Sequence, residues 1–272
     1  MKLAKRAFLA LGFGLALQVT AHAAIVSQWN YTTTSIWTSA SPGVTVTPTV
    51  LSWGTDIGNG QSTLTIANPA PGVVTTQQDG LPLNLAYAQP GSTITHDNNA
   101  ITDSPMTGAT LNSQLVLNAL PGPGANTGPT PINLNIRFLE TVNALPCPAT
   151  SPAGNPCNDI FVLTTPLQNQ TFQWDTDGLG GDAPVTYFVN IFPLGGLGPL
   201  QDGACDAVFG DILHRGCIGF TTPENAATPL PFAFIVSTTP FSVPEPDAIA
   251  LTGLALMALA LVRRRYPARS AR

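Results

Sequence analysis

Basic side chains are nearly absent from the middle of this 272-residue chain. Between residues 24 and 243 only Arg137 and Arg215 are basic, against thirteen aspartates and glutamates, which gives this range a formal charge of −11. Nucleic-acid binding needs clustered basic side chains that neutralise phosphates, so this composition excludes nucleic acid as a partner.

Recognisable catalytic motifs are also missing. The chain has no G-x-S-x-G elbow, no H-E-x-x-H helix and no phosphate-binding loop. Glu140 and Glu224 are the only glutamates between residues 24 and 243, and no carboxylate pair is marked out for hydrolysis. We therefore assign no catalytic residues and expect a non-enzymatic protein. A secreted hydrolase that uses His96 or two aspartates is the least favoured class.

The basic residues that do occur are concentrated at the two ends. At the N-terminus, Lys2, Lys5 and Arg6 precede an apolar stretch and a small-residue site at residues 21–23. This pattern predicts a secretory signal peptide over residues 1–23, with the Sec translocon and signal peptidase as partners. Residues 24–243 then form the exported part, which we expect to be one domain rather than two small ones.

All four cysteines lie in this exported part, and an even number in an oxidising compartment favours disulfides. Sequential pairing, Cys147 with Cys157 and Cys205 with Cys217, is the preferred connectivity, although spacing alone does not prove it. A zinc site is less favoured, because the spacings lack the close C-x-x-C pairs typical of tetrahedral sites.

The C-terminus contains Pro244-Glu245-Pro246, an apolar run over residues 248–262, and then Arg263, Arg264 and Arg265. The fifteen apolar or uncharged residues are fewer than the ~20 that span a typical bilayer, but a thinned bilayer can accept such a helix. Basic residues outside both hydrophobic ends predict that both termini are cytoplasmic and the acidic middle is across the membrane. The prolines keep the start of this segment extended.

This three-part tail over residues 244–272 resembles the PEP-CTERM sorting signal. The resemblance implies recognition and cleavage by an exosortase, a membrane transpeptidase with a cysteine nucleophile, in an exopolysaccharide-producing Gram-negative bacterium. The protein would be held in the inner membrane only transiently, before it reaches the cell surface or extracellular matrix. A simple tail anchor is the alternative.

The exported part reads as short strands separated by turn residues. In INLNIRFLETV (132–142), apolar and polar side chains alternate, as in a half-buried strand. Further runs predict strands at 44–53, 62–67, 111–120, 159–163, 185–192 and 232–237. We expect an all-β fold, an antiparallel β-sandwich that could be jelly-roll-like, with long loops, a signal helix and one C-terminal hydrophobic helix. CDAVFGDILHRGC (205–217) has helical apolar spacing, with Asp206 as a candidate cap.

The stretch STITHDNNA (92–100) contains one of the two histidines of the exported part. His96 could ligate a metal or act as a base, but Asp and Asn residues favour a turn, which is the preferred interpretation. Thr95, His96, Asp97 and Asn98 also match the Thr-His-x-Asn signature, and the chain resembles the THxN family of PEP-CTERM proteins. CNDIFVL (157–163) and CIGFTTPEN (217–225) look like further segments of that family. The resemblance implies that both cysteine pairs belong to the family's common body, and it supplies no catalytic residues.

Two features suggest ligand binding. Asp175, Asp177 and Asp182 lie among glycines in WDTDGLGGDAP (174–184) and could coordinate Ca²⁺, although an ordinary hairpin turn is favoured. Trp29, Tyr31, Trp37 and Trp53 could stack on sugar rings, although tryptophans in a sandwich are more often core residues.

The leading interpretation is a non-enzymatic envelope or exopolysaccharide-matrix protein. A carbohydrate-binding, lectin-like module that uses calcium is the alternative.

Overall fold

The computed structural model describes residues 24–78, 82–103, 105–122, 127–141, 158–175 and 183–241. The predicted signal peptide and PEP-CTERM tail lie outside these ranges, and so do Cys147, Cys157, Asp177 and Asp182. Among the described residues, no helix is both long and apolar enough to cross a membrane.

The described part of the chain consists mainly of β-strands. In chain order they are β1 (Gln28–Ala40), β2 (Thr45–Val46), β3 (Val50–Trp53), β4 (Thr55–Asp56), β5 (Ser62–Ala67), β6 (Gly72–Thr75), β7 (Gln89–Asn98), β8 (Ile101–Thr102), β9 (Gly108–Leu120), β10 (Ile132–Leu139), β11 (Asp159–Leu163), β12 (Gln170–Trp174), β13 (Val185–Pro193), β14 (Gly198–Pro199), β15 (Ile218–Thr222) and β16 (Ala226–Ser237). One α-helix, α1 (Asp202–Phe209), and a single 3-10 turn, Leu85–Tyr87, complete the elements.

These strands form two seven-stranded antiparallel sheets. The first sheet has the order β14-β15-β11-β10-β9-β1-β6, and the second has the order β12-β13-β16-β7-β5-β3-β2. β4 and β8 pair separately as a short two-stranded ribbon. The all-β prediction is confirmed, and the two sheets are consistent with the predicted sandwich.

The core lies between the two sheets because alternate side chains of each strand point inward. Along β1, every second residue from Trp29 to Trp37 is buried and the residues between them are exposed. One large cluster combines Trp37 and Leu111 of the first sheet with Leu64 and Ile94 of the second. A second cluster surrounds Trp29, whose ring makes edge contacts with three aromatic neighbours.

The strand predictions based on alternation are largely confirmed. In β10 the apolar residues Leu134, Ile136 and Phe138 are buried, while Asn133, Asn135 and Arg137 are exposed. The predicted ranges 62–67 and 159–163 coincide with β5 and β11. β9, β13 and β16 extend beyond their predicted bounds, and the single run predicted at 44–53 is divided into β2 and β3.

The helix prediction is wrong in its bounds and in its cap. Helix α1 starts at Asp202, with Gln201 in the N-cap position, so Asp206 lies inside the helix. It ends where Gly210 adopts a left-handed conformation (φ 73°), which glycine accepts at low cost. Ile212 and Leu213 therefore lie beyond the helix and are exposed.

Candidate functional site

His96 lies in a strand, so the predicted turn at residues 92–100 is wrong. β7 is hydrogen-bonded to β5 on one side and β16 on the other, and both ladders pass through His96. Two flanking strands satisfy the backbone, which outweighs the local turn preference of Asp97 and Asn98. Because side chains alternate along a strand, His96 and Asn98 point inward and are fully buried, whereas Asp97 is exposed.

The inward residues of the Thr-His-x-Asn signature bind the opposite sheet. His96 Nδ1 lies 2.8 Å from the hydroxyl oxygen of Thr222, in a buried hydrogen bond. The Asn98 amide Nδ2 donates to the carbonyl oxygen of Thr222 at 3.2 Å. Thr222 belongs to β15 of the first sheet and β7 to the second. His96 and Asn98 are two residues apart and share one face of β7, so both reach Thr222 and connect the two sheets at this residue.

Aromatic rings enclose the His96 imidazole. It stacks on the Trp53 indole with centroids 5.4 Å apart and an interplanar angle of 20°, and its edge meets the Phe138 ring at 5.3 Å. Burial in this apolar surrounding disfavours the charged imidazolium and lowers the pKa of His96 to about 3. The imidazole is thus neutral at physiological pH. Its Nε2 atom has no hydrogen-bond partner in the part of the chain that the structure describes.

Next to this aromatic group, three carboxylates converge from three segments of the chain. Glu140 follows the last residue of β10, Asp159 starts β11, and Glu224 lies in the connection between β15 and β16. One carboxylate oxygen from each lies within 4.8 Å of the others. Asp159 and Thr222 are register partners in adjacent strands, which places this carboxylate cluster beside the residues that hold His96.

Among the described residues, Trp53 and Thr141 donate hydrogen bonds to the carboxylate cluster. The Trp53 indole Nε1 donates to Glu140 Oε2 at 3.1 Å, so the same ring contacts both His96 and the carboxylate cluster. The Thr141 backbone N–H donates to Asp159 Oδ1 at 2.8 Å. Asp159 Oδ2 is buried, and no donor among the described residues reaches it.

Burial and repulsion by neighbouring carboxylates make Glu140 and Asp159 hard to ionise. Burial is the main cause that raises the pKa of Glu140, and the charge of Glu224 adds to the rise. Burial likewise raises the pKa of Asp159, with repulsion from Glu140 as the second cause. Neither of the two arginines in the described ranges pairs with the carboxylate cluster. Arg137 lies over the Phe209 ring, and Arg215 pairs with Asp206. A site of this kind can hold protons or a cation that prefers oxygen ligands.

The remaining predicted site residues have different outcomes. Cys205 and Cys217 form a disulfide that ties α1 to the start of β15, as predicted. Asp175 follows β12, and β12 pairs with β13 in antiparallel register, as expected for the strands of a hairpin. Trp29, Tyr31, Trp37 and Trp53 are all buried, so the core interpretation of these aromatics is confirmed and they offer no exposed stacking surface.

The carboxylate cluster was missed because its members are far apart in the sequence. Glu140 and Glu224 stand out as the only glutamates between residues 24 and 243, but this rarity does not indicate that they meet. Position gave a partial signal, since Glu140 lies near the end of the strand stretch 132–142 and Glu224 lies near the end of the family-like segment 217–225. Asp159 had no such signal beyond its place at the start of a strongly apolar strand.

Comparison with known proteins does not identify a family for this chain. No protein-family model matches the chain, and the curated proteins give no significant match.

Proposed function

We propose that this chain is a non-enzymatic protein that is exported to the cell envelope or exopolysaccharide matrix of a Gram-negative bacterium. The observation that carries the proposal is the Cys205–Cys217 disulfide. Disulfides form and persist in oxidising, extracytoplasmic compartments and are rare in the reducing cytosol. The N-terminal pattern of residues 1–23 supports the same destination.

The proposed processing step rests on the resemblance of the tail to the PEP-CTERM signal. In this proposal an exosortase recognises Pro244, Glu245 and Pro246 while the apolar run and Arg263 to Arg265 hold the chain in the inner membrane. Cleavage then releases the β-sandwich body to the cell surface or matrix. The resemblance of residues 95–98 to the THxN signature supports the same proposal for the body.

The body is suited to a structural role outside the cell. Its strands are long and paired, its two sheets are joined by His96, Asn98 and Thr222, and a disulfide closes the segment that contains α1. The disulfide stabilises the folded state, because it constrains the unfolded chain. This supports a role as a durable component of the envelope or matrix.

Mass spectrometry of the protein from cells with and without an active exosortase tests the proposal. With the enzyme, we expect a mature N-terminus at Ala24 and the loss of the residues after the Pro-Glu-Pro motif. A Pro244→Ala/Pro246→Ala variant should keep its tail, whereas the matched control Pro240→Ala should be processed normally. An intact tail on the unsubstituted protein in exosortase-active cells would refute the processing step.

Carbohydrate binding remains the alternative proposal, with less support than the sequence suggested. The aromatic residues that motivated it are in the core, so a sugar would need another surface. Binding to exopolysaccharide that is abolished by a calcium chelator would favour this alternative. Equal, background-level binding to all polysaccharides, with and without calcium, would remove it.

A further inference from the structure

Among the residues that the structure describes, no arginine or lysine pairs with the carboxylate cluster of Glu140, Asp159 and Glu224. Arg137 lies 5.1 Å from the Phe209 ring, and the Arg215 guanidinium lies 3.1 Å from Asp206, which places both away from the carboxylate cluster. His96 is neutral in its apolar surrounding and supplies no compensating charge. Within the described part of the chain, this leaves protons or a bound cation to neutralise the negative charge of the carboxylate cluster.

Buried oxygen atoms near the carboxylate cluster point to a cation. Asp159 is 0% exposed, faces the space between the sheets like Phe161 two residues later, and its Oδ2 meets no donor among the described residues. Asn98 is also 0% exposed, and its Oδ1 is without a partner in the described ranges. The other end of the Asn98 amide is held by Thr222, the register partner of Asp159. Carboxylate and amide oxygens are the ligands that Ca²⁺ prefers.

The separations also suit such an ion. Ca²⁺–oxygen bonds of roughly 2.3–2.6 Å allow two ligand oxygens of one ion to lie up to about 5 Å apart. The three carboxylate oxygens of the carboxylate cluster lie within 4.8 Å of one another, inside that range. A zinc ion fits less well, because it prefers nitrogen and sulfur ligands in a tetrahedral arrangement.

We propose that Glu140, Asp159 and Glu224 bind one divalent cation that prefers oxygen ligands, with Ca²⁺ as the ion best matched to them. The ion joins the end of β10, the start of β11 and the connection from β15 to β16. It thereby fixes the end of the sandwich at which His96 and Asn98 connect the sheets. The proposed ligands include none of Asp175, Asp177 and Asp182, and the proposal does not depend on the proposed exosortase processing.

Direct binding to the exported protein, purified after expression of the full chain and stripped with a chelator, is the first test. Calorimetric titration with Ca²⁺ should show one ion per chain. Tb³⁺, which occupies calcium sites, should give luminescence on tryptophan excitation, because the Trp53 indole touches Glu140. Trp53→Phe should remove most of this emission, while Trp29→Phe, in the other core cluster, should retain it.

Substitutions then locate the ion. Glu140→Gln and Asp159→Asn should each weaken Ca²⁺ binding by about tenfold or more, because the charge of the ligand set governs calcium affinity. Asp97→Asn is the matched control, since Asp97 is exposed on the outer face of β7, and its affinity should equal that of the unsubstituted protein. Binding that is lost in Asp177→Asn and kept in Glu140→Gln would overturn the proposal in favour of the glycine-rich segment.

Thermal unfolding distinguishes ion binding from a purely structural role of the carboxylates. A structural role alone would not make the unfolding midpoint depend on calcium. Without calcium, Glu140→Gln should unfold at the same temperature as the unsubstituted protein or higher, because one source of repulsion is removed. At about 100 times the dissociation constant, Ca²⁺ should raise the midpoint of the unsubstituted protein by roughly 5 °C and leave Glu140→Gln nearly unchanged. Absence of Ca²⁺ and Tb³⁺ binding, with identical melting in calcium and chelator, would show that protons alone neutralise the carboxylate cluster.

Discussion

Acidification should remove a contribution that His96 makes to the stability of the folded protein. The folded state keeps the imidazole neutral, with a pKa of about 3, whereas the unfolded chain has the ordinary value near 6.5. Below about pH 6.5 the imidazole therefore binds a proton in the unfolded state that it does not bind in the folded state, so the His96 contribution to the free energy of unfolding falls as the pH falls. The contribution is fully present above pH 6.5 and is lost progressively towards pH 3.

The size of this effect follows from the two pKa values. Each pH unit of acidification between about 6.5 and 3 lowers the His96 contribution to the free energy of unfolding by about 1.4 kcal/mol. Between pH 7.5 and 4.5 this contribution falls by about 2.7 kcal/mol. Because His96 is 0% exposed, solvent screening does not reduce this figure appreciably. A loss of this size is a large fraction of the stability of a typical domain.

The stability contributed by Glu140 and Asp159 depends on pH in the opposite sense. Their contribution must therefore be separated from that of His96. Their folded-state pKa values are raised, so the stability they contribute is present below about pH 4 and is lost as the pH rises through their folded values. These two carboxylates are retained in a His96→Gln variant, which removes only the imidazole. The difference between the two proteins isolates the histidine contribution.

Urea unfolding of the unsubstituted protein and of His96→Gln, at pH 7.5 and 4.5 in a chelator, measures that difference. The unsubstituted protein should lose about 2.7 kcal/mol more than the variant over this interval. If the variant does not fold, the imidazole nitrogen chemical shifts of His96 should show a neutral ring down to pH 4. Parallel pH profiles for the two proteins, or a titration midpoint near 6.5, would refute the reasoning.

Two further predictions concern stability. Cys205→Ser/Cys217→Ser should lower the free energy of unfolding by about 3 kcal/mol, because it releases a short closed loop; urea titration checks this, and an unchanged midpoint would mean that the bond contributes nothing. Leu117→Ala should cost about 2–5 kcal/mol, because Leu117 is 0% exposed in the Trp29 cluster. Leu213→Ala is the control, since Leu213 is 84% exposed and the change should be within about 0.5 kcal/mol. Equal losses for both leucine variants would contradict the described core.

Alternation in the sequence was enough to predict much of the fold. Residues 132–139 reveal their buried face directly, because successive side chains of a strand point to opposite sides. The same alternation runs through β1, from Trp29 to Trp37, and explains why its aromatic residues belong to the core. The disulfide between Cys205 and Cys217 was also predictable, since the two cysteines are close in sequence and an even number of cysteines favours pairing in an oxidising compartment.

Predictions from the local conformational preferences of residues were wrong where tertiary contacts decide the conformation. Asp97 and Asn98 favour turns in isolation, but β5 and β16 pair with the backbone on both sides and hold an extended strand. Apolar spacing over residues 205–213 matched a helix, but the spacing does not show where the chain turns. The left-handed Gly210 ends α1 and leaves Ile212 and Leu213 outside it.

The sequence by itself determined the acidic character of the body, its strand periodicity and the resemblance of its ends to export and sorting signals. Only the tertiary structure decided that Glu140, Asp159 and Glu224 meet beside Trp53 and His96. The physical reason is that strand order in a sheet is set by long-range pairing and core packing, which place β11 between β10 and β15. Spacing along the chain carries no record of that order, so the carboxylate cluster becomes visible only when the sheets are assembled.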